Sequence, residues 1–244
     1  MGGRGTDVAR EAASLVLVND NFAAIVTAVR QGRRIFDNLR KAMSYILAVH
    51  VPIAGMAMLP VLFGWPALLY PMHIALLELI IDPACSIAFE NEPAENDVMQ
   101  RPPRDADAPL FGGATLGLAL IQGLGVLAAV MAAFAWASSG IPEPEARAFA
   151  FAALVVGNLA LILSNRSASR SLWATLRTPN NTLWVVIALA FALMLAALYV
   201  PWAVKVLRFA PLPAHELAAA CGLGLLSVLW FEGIKSARRT PIGS

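Results

Sequence analysis

Six long apolar segments constrain this chain more than any other feature. Crossing the hydrocarbon core of a bilayer takes about 20 mainly apolar residues, and segments of that kind cover about 43–63, 72–90, 112–137, 148–165, 183–204 and 214–234. Four carry no charge, the second holds Glu78 and Asp82 with Glu90 at its end, and the sixth has acids only near its ends. With 59% hydrophobic and 14% charged residues, the chain departs from soluble domains toward a membrane protein. The start, MGGRGTDVAREAA, lacks the charged and apolar regions of a signal peptide, so insertion is expected from the internal segments.

Orientation follows from Lys and Arg. Arg4, Arg10, Arg30, Arg33, Arg34, Arg40 and Lys41 precede the first span. Alternating crossings put Arg101, Arg104, Arg166, Arg170, Arg177, Lys235, Arg238 and Arg239 on the same side. Only Arg147, Lys205 and Arg208 fall opposite, which predicts cytoplasmic termini.

The first 42 residues differ in kind. SLVLV (14–18) reads as a short β-strand ended by the turn residues NDN. From Asn21, Phe22, Ile25, Val26, Val29, Phe36, Leu39 and Met43 keep helical spacing, and Gly32 is only a weak breaker. One helix is therefore predicted to start outside the membrane and continue into it. A strand and half a helix cannot enclose a core alone, so the segment reads as the edge of a soluble domain. The loop 91–111 is polar and proline-rich, and 164–181 is basic in the way membrane anchoring requires, with nothing to suggest nucleic acid. Phosphate loops, nucleophile elbows and zinc-type clusters are absent, and Cys85 and Cys221 have no metal spacing, so no catalytic residue is predicted.

The chemistry lies in HIALLELIIDPACSIAFE, residues 73–90. An acid at the bilayer centre costs about 2.5–3.5 kcal/mol on insertion scales, so such groups normally face the protein interior and bind something. Glu78 and Asp82, four apart, share a helix face, and paired carboxylates repel unless a cation or proton lies between them. Pro83 removes an amide hydrogen and crowds the Leu79 carbonyl, so a broken helix with free backbone oxygens is expected. The alternative is a proline kink with its acids neutralised. In the first span, beside Pro52, His50 suits a ligand, a proton acceptor or a hydrogen-bonded core histidine. Asn158, an amide inside the fourth span, suits either a ligand or an interhelical bond. Gln122 and the glycines Gly112, Gly113, Gly117, Gly123 and Gly125 read as packing, and Met56, Met58, Met72 and Met131 do not converge as soft-metal ligands.

Two stretches resemble a known family. MGGRGTDVAREAASLVLVNDNFAAIVTAVRQGRRIFDNLRKAMSYIL resembles the end of the phosphorylation domain and the fifth transmembrane helix of calcium-pump-like P-type cation ATPases. ENEPAENDVMQRPPR looks like the loop after their sixth helix, and the six spans then resemble helices five to ten. The resemblance implies an all-α membrane bundle of six helices over 43–236, preceded by a strand-plus-helix remnant of an α/β phosphorylation domain over 1–42 and followed by a tail over 237–244. It implies a pump that couples ATP hydrolysis, through an aspartyl phosphate, to cation movement. Asp82 falls on the family's sixth-helix ion-binding aspartate. Glu78 falls where calcium pumps have asparagine, Ile81 where they have threonine, His50 on a ligand asparagine and Ile53 on a ligand glutamate. Asn158 falls near an eighth-helix acid. The loss of one acid and gain of another put a two-calcium site in doubt and make a single-ion or proton-exchanging site plausible. Metal binding is accordingly expected at Glu78 and Asp82, with Asn158 and His50 as further cation-binding residues and Pro83 and Pro52 as helix breakers.

The phosphorylation, nucleotide-binding and actuator motifs of the family are not in these residues. The expectation is therefore a carboxy-terminal third of a pump, incompetent for ATP hydrolysis by itself, from a truncated or split gene or a partial sequence. It would bind no cofactor alone; ATP and Mg2+ would serve the full-length parent. Expected partners are the transported cation (Ca2+ or another mono- or divalent ion), the lipid bilayer and the missing pump domains, in the plasma membrane. A stand-alone membrane subunit or scaffold beside a separate catalytic chain, and an uncoupled channel or carrier, are the competing readings.

Overall fold

A computed structural model describes residues 5–18, 21–103, 112–167 and 172–237. Asn19 and Asp20 of the expected turn, residues 104–111 of the 91–111 loop, residues 168–171 of the 164–181 loop and the tail from 238 lie outside the described residues. Among the described residues the chain is all-α: α1 (Asp7–Glu11), α2 (Ala23–Leu62), α3 (Pro71–Glu90), α4 (Gly113–Ala137), α5 (Glu143–Asn165), α6 (Leu172–Arg177), α7 (Asn181–Tyr199), α8 (Pro201–Leu207) and α9 (Ala214–Ala237). Six of these, α2, α3, α4, α5, α7 and α9, are long and apolar enough to cross a membrane.

The 40-residue α2 is the continuous helix predicted from the unbroken apolar spacing. At 1.5 Å per residue it is about 60 Å long, twice the hydrocarbon thickness. The strand at 14–18 is not formed. A strand needs a neighbour to take its backbone hydrogen bonds, none is present among the described residues, and Leu15 and Val18 stand exposed. A short α1 capped by the Thr6 hydroxyl precedes that segment instead. Nor is α3 broken: it runs unbroken through Pro83. The break falls in the fifth span, where Pro201 holds Val200 in an extended conformation and separates α7 from α8.

At the centre stands α5, with 94% of its most apolar window buried against 22–44% for the other five spans. Close approach depends on glycine at two contacts. A Cβ on Gly224 of α9 would lie 2.6 Å from the Ala153 carbonyl oxygen and 3.0 Å from the Gly157 nitrogen, both backbone atoms of α5. A Cβ on Gly123 of α4 would lie 2.5 Å from the Ala48 carbonyl oxygen of α2. That oxygen lacks its usual intrahelical donor because residue 52 is proline. Gly112, Gly113 and Gly117 touch nothing of this kind, so packing accounts for only part of the glycine run.

Charged side chains gather at two ends. At one, buried Arg147 donates to the Ala67 and Arg208 carbonyls, pairs with Glu143 and lies 4.9 Å over the Tyr70 ring. At the other, the exposed first half of α2 meets the segment following α3.

Candidate functional site

The α2–α3 pair builds the site by turning its larger apolar side chains inward. Tyr45, Val49, Ile53 and Met56 of α2 and Leu77, Ile81, Cys85 and Phe89 of α3 are buried, with the Tyr45 and Phe89 rings 5.7 Å apart. The polar residues between them are thereby left at the outer edge of the seam. His50 and Glu78 come together there: His50 Nε2 lies 3.7 Å from Glu78 Oε1, and His50 Nδ1 lies 2.7 Å from the Ile46 carbonyl oxygen. A carbonyl only accepts, so Nδ1 carries the hydrogen and, in the neutral ring, Nε2 presents a lone pair to the carboxylate. The gap is too long for a direct hydrogen bond. Two electron-rich atoms facing across it suit a cation or a shared proton.

Asp82 stands one turn further along α3, about 6 Å by helical rise, and makes no hydrogen bond or ion pair among the described residues. Between the two acids the Leu79 carbonyl is denied its donor by Pro83. The structure therefore collects oxygen and nitrogen donors along one edge. Among the described residues, however, no three His, Cys, Asp or Glu side chains converge as a closed metal cage. Nor do the acids face the interior of this bundle. His50 and Asp82 are exposed and Glu78 is partly covered, because the inward faces of α2 and α3 are taken by apolar packing.

Asn158 is placed elsewhere, buried in central α5, and neither atom of its amide has a hydrogen-bond partner among the described residues. Gln122 serves packing as expected, accepting from Asn165 across α4 and α5. Pro52 is buried within α2 and does not interrupt it.

A second constellation was missed by sequence reasoning. Glu92, two residues past the end of α3, is fully buried against fully buried Arg166 of the α5 terminus, with Nε to Oε2 at 2.7 Å and Nη2 to Oε1 at 3.3 Å. Asn180, which caps α7 through Leu183 N, also donates to Glu92 Oε2 and to the Ala88 carbonyl. The Glu92 carbonyl in turn accepts from Arg34 and Asn38 of α2, each at 2.8 Å. Lys41 pairs with Glu95, and Arg101 pairs with Asp37 and Asp97. Hydrogen bonds from Arg101 hold the Asp97 carboxyl below its usual range. Removing one member of a buried pair leaves an uncompensated charge, at a cost of about 3–5 kcal/mol. No local pattern announces the pair, since its members lie 74 residues apart.

Comparison with known proteins gives a consistent picture. Residues 66–237 match the family described as cation transporting ATPase, C-terminus. A calcium-transporting ATPase of Listeria monocytogenes is 30% identical over 234 residues, covering 96% of this chain and 26% of the relative. One of Bacillus subtilis is 35% identical over 205 residues, 82% of this chain and 23% of the relative. A probable cation-transporting ATPase F of Mycobacterium tuberculosis is 32% identical over 191 residues, 78% and 21% respectively. The chain thus spans about a quarter of the length of the curated relatives it matches.

Proposed function

The chain belongs to the cation-transporting ATPase family, as its C-terminal membrane region, and from that premise we propose that it is the ion-binding membrane part of a longer ATP-driven pump. Residues 1–42 are assigned to the edge of the phosphorylation domain with its stalk, 43–236 to the transport domain and 237–244 to a cytoplasmic tail. ATP and Mg2+ are assigned to the remainder of the pump, which phosphorylates itself on an aspartate. The plasma membrane is the proposed location.

One observation carries the reading: the Nε2 of His50 and a carboxylate oxygen of Glu78 face each other at 3.7 Å across two adjacent spans. Asp82 and the Leu79 carbonyl extend that donor edge, and the amide of Asn158, without a partner among the described residues, is a further candidate. Ca2+ takes 6–8 oxygen ligands, more than this edge supplies. The outer faces of α2 and α3 are accordingly proposed to be covered by further spans of the same pump that complete the shell. Ca2+ is the proposed cargo, in keeping with the relatives named as calcium-transporting.

In the full-length protein that carries this chain, Glu78→Gln and Asp82→Asn are each expected to abolish Ca2+-dependent phosphoenzyme formation from ATP. Retention of normal Ca2+ dependence in both would remove these residues from the site.

A further inference from the structure

We propose that the cleft between α4 and α9 binds one acyl chain of a phospholipid, from the leaflet at the Arg147 end. The site is separate from the ion-binding residues proposed above. The cleft measures about 560 Å3. Short side chains form its floor, Ala129, Ala132 and Ala133 of α4 with Ala219 of α9, and long ones form its rims, Trp136, Leu226 and Trp230. Trp136 is 70% and Leu226 61% exposed, so the cleft opens on the surface of the bundle. Helix α9 packs on α5 and α4, whereas α3 packs on α2 and α7. The opening therefore lies away from the α2–α3 edge where further spans are proposed. A floor left without partner atoms forfeits its dispersion contacts.

Depth identifies the occupant. Gly125 is the midpoint of α4, and Trp136 stands at the end of that helix, its ring 6.3 Å from Phe149 of the first part of α5. From Gly125 to Trp136 the cleft runs about 16 Å by helical rise, against about 15 Å for half of the hydrocarbon core. Its inner end is closed: a Cβ on Gly125 would lie 2.6 Å from the Trp230 ring. A trough that starts at the interface and stops at mid-depth fits a chain of one leaflet. A transmembrane helix needs the whole thickness of about 30 Å. It also docks best on bare backbone or free hydrogen-bond donors, and the cleft offers neither. Gly125 is already covered by Trp230, the Ser227 hydroxyl donates to the Gly224 carbonyl, and Trp230 Nε1 donates to the Ser227 carbonyl. The remaining lining is hydrocarbon, and its match is hydrocarbon. Lipid tails are as apolar as leucine, so preference over bulk lipid rests on contact with fixed walls.

The test uses the full-length protein, delipidated in detergent, and phosphatidylcholine dibrominated near the end of one acyl chain, a contact quencher of indole fluorescence. The Trp230 signal is the difference between wild type and Trp230→Phe; Trp136→Phe supplies a second reporter at the mouth. Quenching of Trp230 is expected to saturate at one lipid per protein. Bromines moved to the headgroup end of the chain are expected to quench Trp136 instead. Ala129→Leu with Ala132→Leu fills the trough and is expected to raise the lipid needed for half-quenching by about fivefold or more. Ala219→Leu fills it from α9 and decides the matter if the double variant fails to fold. Quenching that never saturates, or that a folded filled variant leaves unchanged, would overturn the proposal. A dimer in detergent that the filled variants abolish would give the cleft to a second copy instead. Displacement of the brominated lipid by a sterol at lower concentration than by unbrominated phosphatidylcholine would give it to a planar lipid.

Discussion

An amide buried with no hydrogen-bond partner carries a desolvation cost of about 1–3 kcal/mol, and Asn158, in the most enclosed helix, has no partner at either atom among the described residues. Such a cost is tolerated where the residue does something that leucine cannot. Asn158→Leu is therefore expected to raise the thermal midpoint of the cation-free, full-length protein in detergent while lowering its Ca2+ affinity about tenfold. A lowered midpoint would mean that the amide is partnered in the intact protein, and an unchanged affinity would remove it from the ligand set. His50 presents the opposite case. Its Nδ1 is tied to Ile46, so the orientation of Nε2 toward Glu78 is fixed by the helix that carries it.

Between elements, glycine is least replaceable where backbone meets backbone. At Gly224 a methyl group would run into the Ala153 carbonyl and the Gly157 nitrogen, atoms that cannot rotate away, so Gly224→Ala is expected to push α9 off α5. The cost should be about 1–3 kcal/mol, as for other overpacked cores. Gly222, two residues earlier in the same helix, has nothing within 4 Å of its would-be Cβ. Gly222→Ala is expected to be neutral or to stabilise by up to about 1 kcal/mol through helix propensity. Thermal unfolding of both variants separates contact from propensity, and equal midpoints would contradict the packing described. The sequence foreshadowed these elements unevenly. Six spans and the long α2 were legible because apolar runs and helical spacing are local properties. The break at Pro201 was equally local and was passed over inside an apolar run, whereas Pro83, marked as a breaker, lies in a continuous helix. The strand at 14–18 failed because pairing is not local. The Glu92–Arg166 pair was illegible for the same reason: each residue sits in a polar segment that solvent or headgroups would explain equally well.

For the molecule as a whole, the charges sort by end. Arg33, Arg34, Lys41, Arg101 and Arg166 share the α2 end through their contacts with the segment after α3, while Arg147 and Arg208 meet over Tyr70 at the other. The fold separates the two groups but does not say which side of the membrane each occupies; the excess of Lys and Arg leads us to propose a cytoplasmic α2 end. Two exposed positions test the assignment. Ser139 follows α4 at the end shared with Arg147, and Gln100 lies in the segment after α3 at the α2 end. With Cys85 and Cys221 replaced by alanine in the full-length protein, Ser139→Cys is expected to react with a membrane-impermeant maleimide on intact cells. Gln100→Cys should react only after permeabilisation. The reverse pattern would invert the bundle and put the α2 end, with the Glu92–Arg166 pair, outside the cell. Orientation is therefore a premise of the proposed pump reading, and it is decided without any assay of transport.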